Sequence, residues 1–441
     1  MLGGYMGRIL EIDLSVPIIR TESLQESLLR GHIGGSGLGA RILYDRTGPG
    51  TDPIGPDNLL ILMTGPLTGT RVPTSGRHAV VTRSPLTGIF AESDIGGTWG
   101  ATLKRAGYDG VIIRGRADKP VYLWISDEGV RLKDASHLWG MDIYRLDGHL
   151  KEETSPDAVV LCIGPAGEKM VRIASIMSDG ADGRAAGRCG VGAVMGSKNL
   201  KAVVVSGRRE VPVAYGDVLG DSIRRVAPSI VQGTRERGLY GTAAWMLTAE
   251  HTGDLPVQNW RKGKWEEGAE RLSGQTMARR ILKKRYYCSS CIVGCGREVH
   301  VAEGPYSGVA GAGPEYETLG MLGACCMVDD LEAIAMAHQL CNQYGIDVIS
   351  AGGAIAFAME CYEHGLITHE DAGGVELTWG NPSAMIEMVR QIGSEGHEQH
   401  RRHLCHFEPG GVPPPGVGLP GRTEAEDAGI RVPGAARPFL Q

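Results

Sequence analysis

The chain has 441 residues, 66 of them glycine, and its apolar (42%) and charged (22%) fractions are those of an ordinary folded protein. A formal net charge of −6 gives no electrostatic reason to expect nucleic acid binding. No apolar run is long enough to span a membrane and the first residues do not resemble a signal peptide, so we expect a cytoplasmic protein. In that compartment the 10 cysteines should be thiols or metal ligands rather than disulfides.

Residues 1–208 contain short apolar runs separated by glycines, which is typical of strands. Few helical segments interrupt them, and residues 97–106 and 143–152 are the best candidates. We therefore expect a β-rich N-terminal domain over residues 1–208. The predicted strands lie at 8–14, 58–63, 78–82, 110–114, 121–125, 159–163 and 201–205.

Residues 209–393 have a different texture, because apolar side chains recur with the 3.6-residue period of a helix. We expect an α-helical domain here, so the predicted fold class is α+β. The predicted helices lie at 219–231, 241–251, 316–327, 330–344, 350–364 and 383–392.

Residues 394–441 are rich in Gly, Pro, Arg and His and lack apolar periodicity, so we expect a disordered tail. Such a tail could be natural or could result from out-of-frame translation. Histidine recurs there at every third position from His397 to His406, but without any packing pattern around it. We therefore expect no metal function for these histidines.

Three cysteines lie within eight residues, at Cys288, Cys291 and Cys295. The short spacers would let three thiolates converge on one metal centre. A zinc site would require a fourth ligand, and an iron–sulfur cluster also requires four, commonly including a remote cysteine. An iron–sulfur cluster, a zinc ion and unliganded thiols all remain open at this point.

Several glycine-rich loops could present backbone N–H groups to an anion. The segment 31–41 resembles a dinucleotide-binding motif only superficially, and we expect it to be a helix N-terminus with close backbone packing. The loops at 94–100 and 183–192 have the same character, and Arg184 and Arg188 add forked phosphate donors to the second. Arg77 supplies another such group, so we expect a large polar cofactor or a ligand with more than one phosphate.

Two carboxylates, Glu315 and Glu317, lie where a loop becomes a helix, in the segment 313–318. Acids at a helix N-terminus can simply complement the helix dipole. They can also serve as a general base or acid beside a metal cofactor. His338 lies on a largely apolar helix face, and we expect it to be a packed residue rather than a ligand.

Taken in order, these segments resemble the tungsten-containing aldehyde ferredoxin oxidoreductase family over roughly residues 1–393. Each string alone could arise by chance, whereas the ordered series is specific. The strings are Thr74–Arg77, Ser84–Gly88, Gly96–Gly97, Leu103–Asp109, Arg184–Arg188, Gly196–Ala202, the cysteine cluster, Gly313–Thr318 and Asn342–Asp347.

The resemblance implies that the β-rich domain binds tungsten, or molybdenum, held by two pyranopterin dithiolenes. It also implies a nearby [4Fe–4S] cluster with Cys288, Cys291 and Cys295 as three of its ligands. Carbonyls near Asp94 and Ala185 would serve a magnesium ion that bridges the pterin phosphates. The implied cofactor-binding residues are Arg77, Asp94, Gly96, Gly97, Arg184, Ala185, Gly187, Arg188, Asn342, Gly345, Ile346 and Asp347. Family members usually have Asn at position 94 and Asp at position 342.

The same resemblance implies oxidation of a small aldehyde to a carboxylic acid with ferredoxin as electron acceptor. One of Glu315 and Glu317 would be the acid beside the tungsten. A homodimer would be compatible with the family. An aromatic acyl thioester is the alternative substrate, as in ring-reducing relatives.

The chain leaves the family's pattern near residues 391–394. The family's second Asp-x-x-Gly-Leu-Cys motif, which gives the fourth cluster cysteine, and its catalytic histidine are not visible in the sequence. We therefore expect a truncated or frameshifted member, which could be an inactive remnant or a cofactor-binding module.

Overall fold

The computed structural model describes residues 2–394, and its α+β architecture agrees with the predicted class. The first six strands form one mixed sheet of order β2-β1-β6-β3-β4-β5, in which only β1 and β6 run parallel. All five residues of β3 are buried, as its unbroken apolar run predicts. These strands are β1 (Arg8–Asp13), β2 (Ile18–Ser23), β3 (Leu60–Thr64), β4 (His78–Arg83), β5 (Phe90–Ile95) and β6 (Gly110–Arg114).

The next six strands form a second mixed sheet of order β11-β10-β9-β12-β7-β8, again with one parallel pair, β12 and β7. Its edge strand β11 carries Arg184 and Ala185. The strands are β7 (Val121–Ser126), β8 (Gly129–Asp134), β9 (Val159–Cys162), β10 (Ile176–Ser178), β11 (Arg184–Ala186) and β12 (Leu200–Val205).

The two sheets share one apolar core, in which Leu62 and Val80 of the first sheet belong with Leu161 and Val203 of the second. Helices cover the outer faces and fill the space between the sheets. They are α1 (Glu26–His32), α2 (Gly35–Arg46), α3 (Trp99–Arg105), α4 (Ile143–Glu153), α5 (Pro165–Glu168) and α6 (Val191–Ser197). The segment 31–41 thus begins a helix, and a Cβ on Gly34 would lie 2.8 Å from the Thr64 carbonyl oxygen.

The chain after residue 209 is mainly helical and has its own core, which includes Leu272, Leu322, Ile334 and Met359. Its helices are α7 (Gly216–Gly233), α8 (Arg235–Tyr240), α9 (Met246–Thr252), α10 (Glu266–Arg271), α11 (Gly274–Arg280), α12 (Tyr316–Thr318), α13 (Leu331–Tyr344), α14 (Val348–Glu363) and α15 (Pro382–Ser394). The predicted helix 316–327 is not a regular α-helix, because α12 continues into a π turn at Leu319–Gly323 and a 3-10 turn at Ala324–Cys326.

A third sheet interrupts the helices, and sequence periodicity did not predict it. It contains β13 (Leu282–Tyr286), β14 (Gly296–His300) and β15 (Ala310–Ala312), all antiparallel. The cysteine cluster occupies the loop between β13 and β14.

None of the helices within residues 2–394 has both the length and the apolar character that crossing a membrane requires. The predicted tail, with its histidines, lies outside the described residues except for Ser394, which ends α15. The prediction of a truncated or frameshifted end concerns that same segment.

Candidate functional site

A cavity of about 630 Å³ lies where the end of β5, strand β11, the cysteine loop and the start of α14 meet. Segments far apart in the sequence therefore form one site. All but two of the predicted site residues line it, namely Arg77, Asp94, Gly96, Arg184, Ala185, Gly187, Arg188, Cys288, Cys291, Cys295, Glu315, Glu317, Asn342, Ile346 and Asp347.

The two exceptions, Gly97 and Gly345, lie outside the lining and shape it. Gly97 has a φ of +85°, and a Cβ there would overlap the carboxylate of Asp179. That carboxylate accepts a hydrogen bond of 3.1 Å from the Thr98 N–H, so Gly97 permits a close turn before α3. Gly345 ends α13 in the left-handed conformation, at a φ of +75°. Both glycines serve the backbone that presents the cavity residues.

The cysteine loop is fastened to the N-terminal part of the chain by three hydrogen bonds. The Ser290 hydroxyl donates to the Thr70 carbonyl at 2.7 Å, and the Ser290 backbone carbonyl accepts from the Thr74 N–H at 2.9 Å. The Ser289 N–H donates to the Gly97 carbonyl at 3.0 Å. These bonds hold the thiols against the glycine-rich loop at the end of β5.

The three cysteine side chains are half-buried free thiols that face the cavity. A Cβ on Gly96 would lie 3.0 Å from the Sγ atom of Cys288, so the absence of a side chain there leaves room for the thiol. Burial raises the pKa of Cys295, and Glu315 adds to that shift while Arg184 opposes it. Within residues 2–394, no three His, Cys, Asp or Glu side chains are grouped as ligands for a metal ion.

Arg184 is the central cation of the cavity wall, and its side chain is only 13% exposed. Its Nη1 atom lies 3.1 Å from Oε1 of Glu315, and its Cζ atom lies 4.4 Å from the ring centroid of Tyr286. Its Nε and Nη2 atoms are buried and have no hydrogen-bond partner among the described residues. Buried donors without a partner are costly, and Nη2 packs against the backbone of β14, since a Cβ on Gly296 would lie 2.5 Å from it.

Glu315 and Glu317 have different surroundings although both line the cavity. Glu315 is held on both oxygens, because Thr242 donates its hydroxyl proton to Oε2 at 3.0 Å while Arg184 binds Oε1. The Tyr316 N–H in turn donates to the Thr242 hydroxyl at 2.9 Å. Glu317 is exposed and makes no hydrogen bond or ion pair within residues 2–394. Sequence reasoning missed Thr242, which no motif marks.

Arg188 and Asp347 form an ion pair at 2.9 Å across the cavity floor. Asp347 also begins α14, because its carboxylate accepts hydrogen bonds from the N–H groups of Ile349 and Ser350 at 3.1 Å each. The carboxylate is therefore fully used by the protein. Asp347, predicted as a cofactor-binding residue, thus fixes Arg188 and the start of α14 in the structure.

Asn342 belongs to a hydrogen-bonded chain with two buried residues. Its Nδ2 atom lies 3.1 Å from Nε2 of His338, and Nδ1 of His338 lies 3.1 Å from the Thr318 hydroxyl. Burial lowers the pKa of His338 to about 4, so the ring is neutral and can accept on one side and donate on the other. His338 is a packed residue, as the sequence indicated, and it also lines the cavity.

Charged side chains also lie at the rim of the cavity, among them Asp94 and two arginines. Burial and the neighbouring Glu92 raise the pKa of Asp94, whereas the Arg77 guanidinium opposes this. Arg77 is exposed at the rim, as is Arg237, which sequence reasoning also missed. No sequence motif marks Arg237, because it lies on the short helix α8.

The cavity wall fits a large anionic cofactor. Four arginines line it, namely Arg77, Arg184, Arg188 and Arg237. Its volume falls within the range of ordinary cofactor sites, which is about 300–1,000 Å³. The donor set of the cysteine loop fits an iron–sulfur cluster as far as three of the usual four thiolates.

Comparison with known families agrees with this geometry. The model of the aldehyde ferredoxin oxidoreductase N-terminal domain matches residues 9–207, and the model of aldehyde ferredoxin oxidoreductase domains 2 and 3 matches residues 219–397. The chain belongs to the aldehyde ferredoxin oxidoreductase family. Its membership confirms the resemblance that the ordered motifs indicated.

Several members of this family with known functions are similar to the chain. It is 41% identical over 397 residues to the tungsten-containing aldehyde ferredoxin oxidoreductase of Pyrococcus furiosus and 44% identical over 399 residues to that of Pyrococcus abyssi. Each alignment covers 88% of this chain and 64% of the relative. The chain therefore spans somewhat less than two thirds of the length of these relatives.

Two relatives with other named activities are also similar. An aliphatic sulfonate oxidoreductase subunit of Pyrococcus furiosus is 33% identical, with 88% of this chain and 64% of the relative covered. The solved BamBC complex of benzoyl-coenzyme A reductase, bound to a dienoyl-CoA, has a TM-score of 0.78 and 29% identity, and the match covers 89% of this chain and 61% of that one. The fold therefore serves more than one substrate class.

Proposed function

We propose that this chain is part of a tungstopterin and iron–sulfur oxidoreductase that oxidises aldehydes to carboxylic acids with ferredoxin as acceptor. The observation that carries the proposal is the meeting of Arg184, Glu315 and the cysteine loop in one cavity. The identity of 41–44% to tungsten-containing aldehyde ferredoxin oxidoreductases favours an aldehyde as substrate.

We propose that Arg184 and Arg188 bind the pterin phosphates, together with Arg77 and the backbone at Gly96, Gly187 and Ala185. Asp94 would lie beside the bridging magnesium ion. Asn342 and Ile346 would contact the pterin, with Gly97, Gly345 and Asp347 shaping the backbone around it. Cys288, Cys291 and Cys295 would supply three cluster ligands.

When bound, the pterin metal would supply two-electron redox chemistry and the iron–sulfur cluster would supply single-electron transfer. The reaction is RCHO + H₂O → RCOOH + 2 H⁺ + 2 e⁻, so the protein must take up protons from the aldehyde or its hydrate. Glu315 is the group that we propose for the first proton. Its two oxygens are oriented by Arg184 and Thr242, at 3.1 and 3.0 Å.

The remaining residues orient the substrate and exclude water. The hydrogen-bonded chain of Asn342, His338 and Thr318 would supply an uncharged part of the cavity wall. Glu317 lies at the exposed side of the cavity, where it can carry a proton outward.

We also propose that the chain is divided into two units, residues 1–208 and residues 209–393. The homodimer and the cytoplasmic location stay predictions.

The proposal is tested by expressing the chain without oxygen in the presence of tungstate or molybdate. We expect bound tungsten and iron by elemental analysis, and aldehyde-dependent reduction of benzyl viologen with formation of the matching carboxylate. Tungsten binding without dye reduction would instead indicate a cofactor-binding module. A folded chain with neither metal would indicate an inactive remnant.

An aromatic acyl thioester is the second candidate substrate, because the chain shares its fold with a benzoyl-coenzyme A reductase. The lower identity to that structure, 29%, makes it the second choice. Assays with benzaldehyde and with a dienoyl or benzoyl thioester, on the same preparation, separate the two. Turnover of the thioester alone would contradict the aldehyde proposal.

A further inference from the structure

Helix α7, the first helix after the two large sheets, has one apolar face and one polar face. Leu219, Ile223, Val226 and Ile230 follow each other at the spacing i, i+4, i+7 and i+11, which places them on the same side of the helix. The opposite side carries charged and amide side chains, namely Asp217, Asp221, Arg224, Arg225 and Gln232. No residue of α7 belongs to the apolar cores of residues 2–394.

The apolar face of α7 is largely uncovered in the part of the chain that the structure describes. No side chain of the helix is fully buried, although the helix is 18 residues long. Val218, Val226 and Val231 are 65%, 41% and 53% exposed, and the other large apolar side chains of the helix are half-buried. Amphipathic helices of this length normally pack their apolar side against another element.

The sequence of α7 also makes the helix unstable on its own. An isolated helix of this length is marginal in water, because most helical stability in proteins comes from packing of an apolar face. Pro228 lies inside α7, where a proline removes one backbone hydrogen bond and weakens the helix further. We therefore expect another surface to cover the apolar face in solution.

The order of residues along α7 indicates which surface this is. When the helix is reversed about the midpoint between residues 224 and 225, each large apolar residue coincides with another large apolar residue. The coinciding pairs are Val218 with Val231, Leu219 with Ile230, and Ile223 with Val226. Two identical helices that pack antiparallel about a two-fold axis require this symmetry, since each position meets its reversed counterpart.

Small residues obey the same symmetry. Gly220 coincides with Ser229, and Ser222 coincides with Ala227. Small side chains at matching positions allow two helices to approach closely, so that the larger apolar side chains between them can interdigitate. The pattern of α7 is thus self-complementary in size as well as in polarity.

We propose that the apolar face of α7 is the interface between two copies of this chain, packed antiparallel about a two-fold axis. Ile223 of each copy then contacts Val226 of the partner subunit, and the polar faces of both helices remain in water. Because the two patches are identical, the association closes at a dimer. The inference goes beyond the proposed function, since it assigns a surface for self-association and does not depend on the metal chemistry.

The experiment measures sedimentation velocity of the anoxically purified full chain over a wide range of concentrations. We expect a reversible equilibrium between monomer and dimer. The variant Val226→Glu should raise the dissociation constant by at least about 100-fold, because the two-fold axis places two uncompensated carboxylates in apolar contact. The matched control is Gln232→Glu, which adds the same charge on the exposed polar face and should leave the dissociation constant nearly unchanged.

The antiparallel register is tested by mixing two variants, Ile223→Glu and Val226→Lys. Each variant alone should be mainly monomeric, because its new charge meets an apolar side chain of the partner subunit. The mixture should form heterodimers, since the new acid and the new base face each other only when the helices are antiparallel about the proposed midpoint. No gain in association on mixing would overturn the proposed pairing.

Other results would overturn the proposal as a whole. A chain that remains monomeric at every concentration would do so, and so would a dimer that is unaffected by Val226→Glu. A monomer that Val226→Glu destabilises would show that the face is covered by the chain's own residues 395–441. Circular dichroism of each variant shows whether it is folded, so that loss of structure is not mistaken for loss of association. Sedimentation requires no enzymatic activity, so failure of the proposed function leaves this test intact.

Discussion

Arg184 and Arg297 are two largely buried arginines in different surroundings. Arg297, at the base of the cysteine loop, donates to carbonyl oxygens of its own loop and of α8, including Leu239 at 2.7 Å and Gly238 at 3.0 Å. Arg184, in the cavity wall, binds Glu315 and leaves two nitrogen atoms unpaired. Arg297 is satisfied by the protein's own carbonyl groups, whereas Arg184 is only partly satisfied by the described residues.

Buried lysines in the sheet region follow the pattern of Arg297. Lys104 pairs with Asp109 at 2.8 Å and donates to the Gly65 carbonyl at 3.1 Å. Lys198 forms no ion pair within residues 2–394 and donates to backbone carbonyls, the nearest being that of Asn58 at 2.6 Å. Burial lowers its pKa to about 8. We infer that buried cations with a complete set of hydrogen-bond partners stabilise the fold. A buried cation with an incomplete set, such as Arg184, is found in the candidate functional site. The following predictions test that distinction.

The largest effect is expected at the cavity carboxylate Glu315. If it takes the proton from the substrate, Glu315→Gln should lower kcat/KM for an aldehyde by about 10²–10⁴-fold. Bound tungsten and iron should stay unchanged, since the amide keeps the contacts with Thr242. The comparison variant is Glu317→Gln, on the exposed side, which should lower kcat/KM by less than Glu315→Gln does. A reversed order of the two variants would transfer the role to Glu317.

The second-largest effect is a loss of stability, which is expected for the buried and fully partnered Lys104. Lys104→Met should lower the free energy of unfolding by about 3–5 kcal/mol, because it leaves Asp109 buried without its counter-charge. Urea denaturation monitored by circular dichroism measures this. Lys119→Met, which removes an exposed ion pair with Asp134, is the control and should have far less effect. Similar small losses in both variants would show that Lys104 is not structurally required.

A pH-dependent effect is expected from His78, which is buried against Trp99 with both ring nitrogens unpartnered among the described residues. Burial lowers its pKa from 6.5 to about 3. Between these values the unfolded chain binds a proton that the folded chain does not, so stability falls as the pH falls. The slope from this residue is about 1.4 kcal/mol per pH unit.

The variant His78→Leu should therefore flatten the pH dependence of unfolding between pH 6.5 and about 3. Urea titrations at several pH values measure the slope. His149→Leu, at an exposed position of α4, is the control for loss of one imidazole. An unchanged slope in His78→Leu would mean that the ring becomes protonated in the folded chain.

The smallest stability effect is expected for Arg184 itself. In the cofactor-free chain, Arg184→Met should change the free energy of unfolding by no more than about 1 kcal/mol, since the lost ion pair is offset by removal of unpaired donors. Arg297→Met should cost about 1–3 kcal/mol, because it leaves several buried carbonyls without donors.

The amount of bound tungsten provides a second test of the difference between Arg184 and Arg297. Arg184→Met should greatly reduce the tungsten retained after purification, whereas Arg297→Met should not do so in the fraction that remains folded. Full tungsten retention in Arg184→Met would mean that its unpaired donors do not face the cofactor.

Much of the cavity could be predicted from the sequence because its residues belong to local strings. Arg184, Glu315 and the cysteines each lie in a segment whose glycines or spacing constrain the backbone. Thr242 and Arg237 were not predictable, since their roles arise only from the packing of α8 and the following turn against the cavity. The hydrogen-bond partners of Lys198 could not be predicted from the sequence either, because every residue has a backbone carbonyl.

In the fold, too, features set by local sequence were predictable and features set by packing were not. Strand β3 and helix α13 follow from apolar runs and periodicity that depend only on their own residues. Strand β13 was missed because its sequence, Leu-Lys-Lys-Arg-Tyr, has little apolar character and is held by pairing with β14. The π turn at Leu319–Gly323 is likewise a result of packing against α14, and periodicity alone predicts an ordinary helix there.

The hydrogen bonds that close the cavity join residues very far apart along the chain. Ser290 and Thr70 are separated by 220 positions, Arg188 and Asp347 by 159, and Arg184 and Glu315 by 131. The entropy of closing such long loops must be overcome before any of these contacts forms. The cavity therefore cannot form while only the N-terminal sheets have emerged from the ribosome. All parts of the cavity wall are present only once the first turn of α14 has been synthesised.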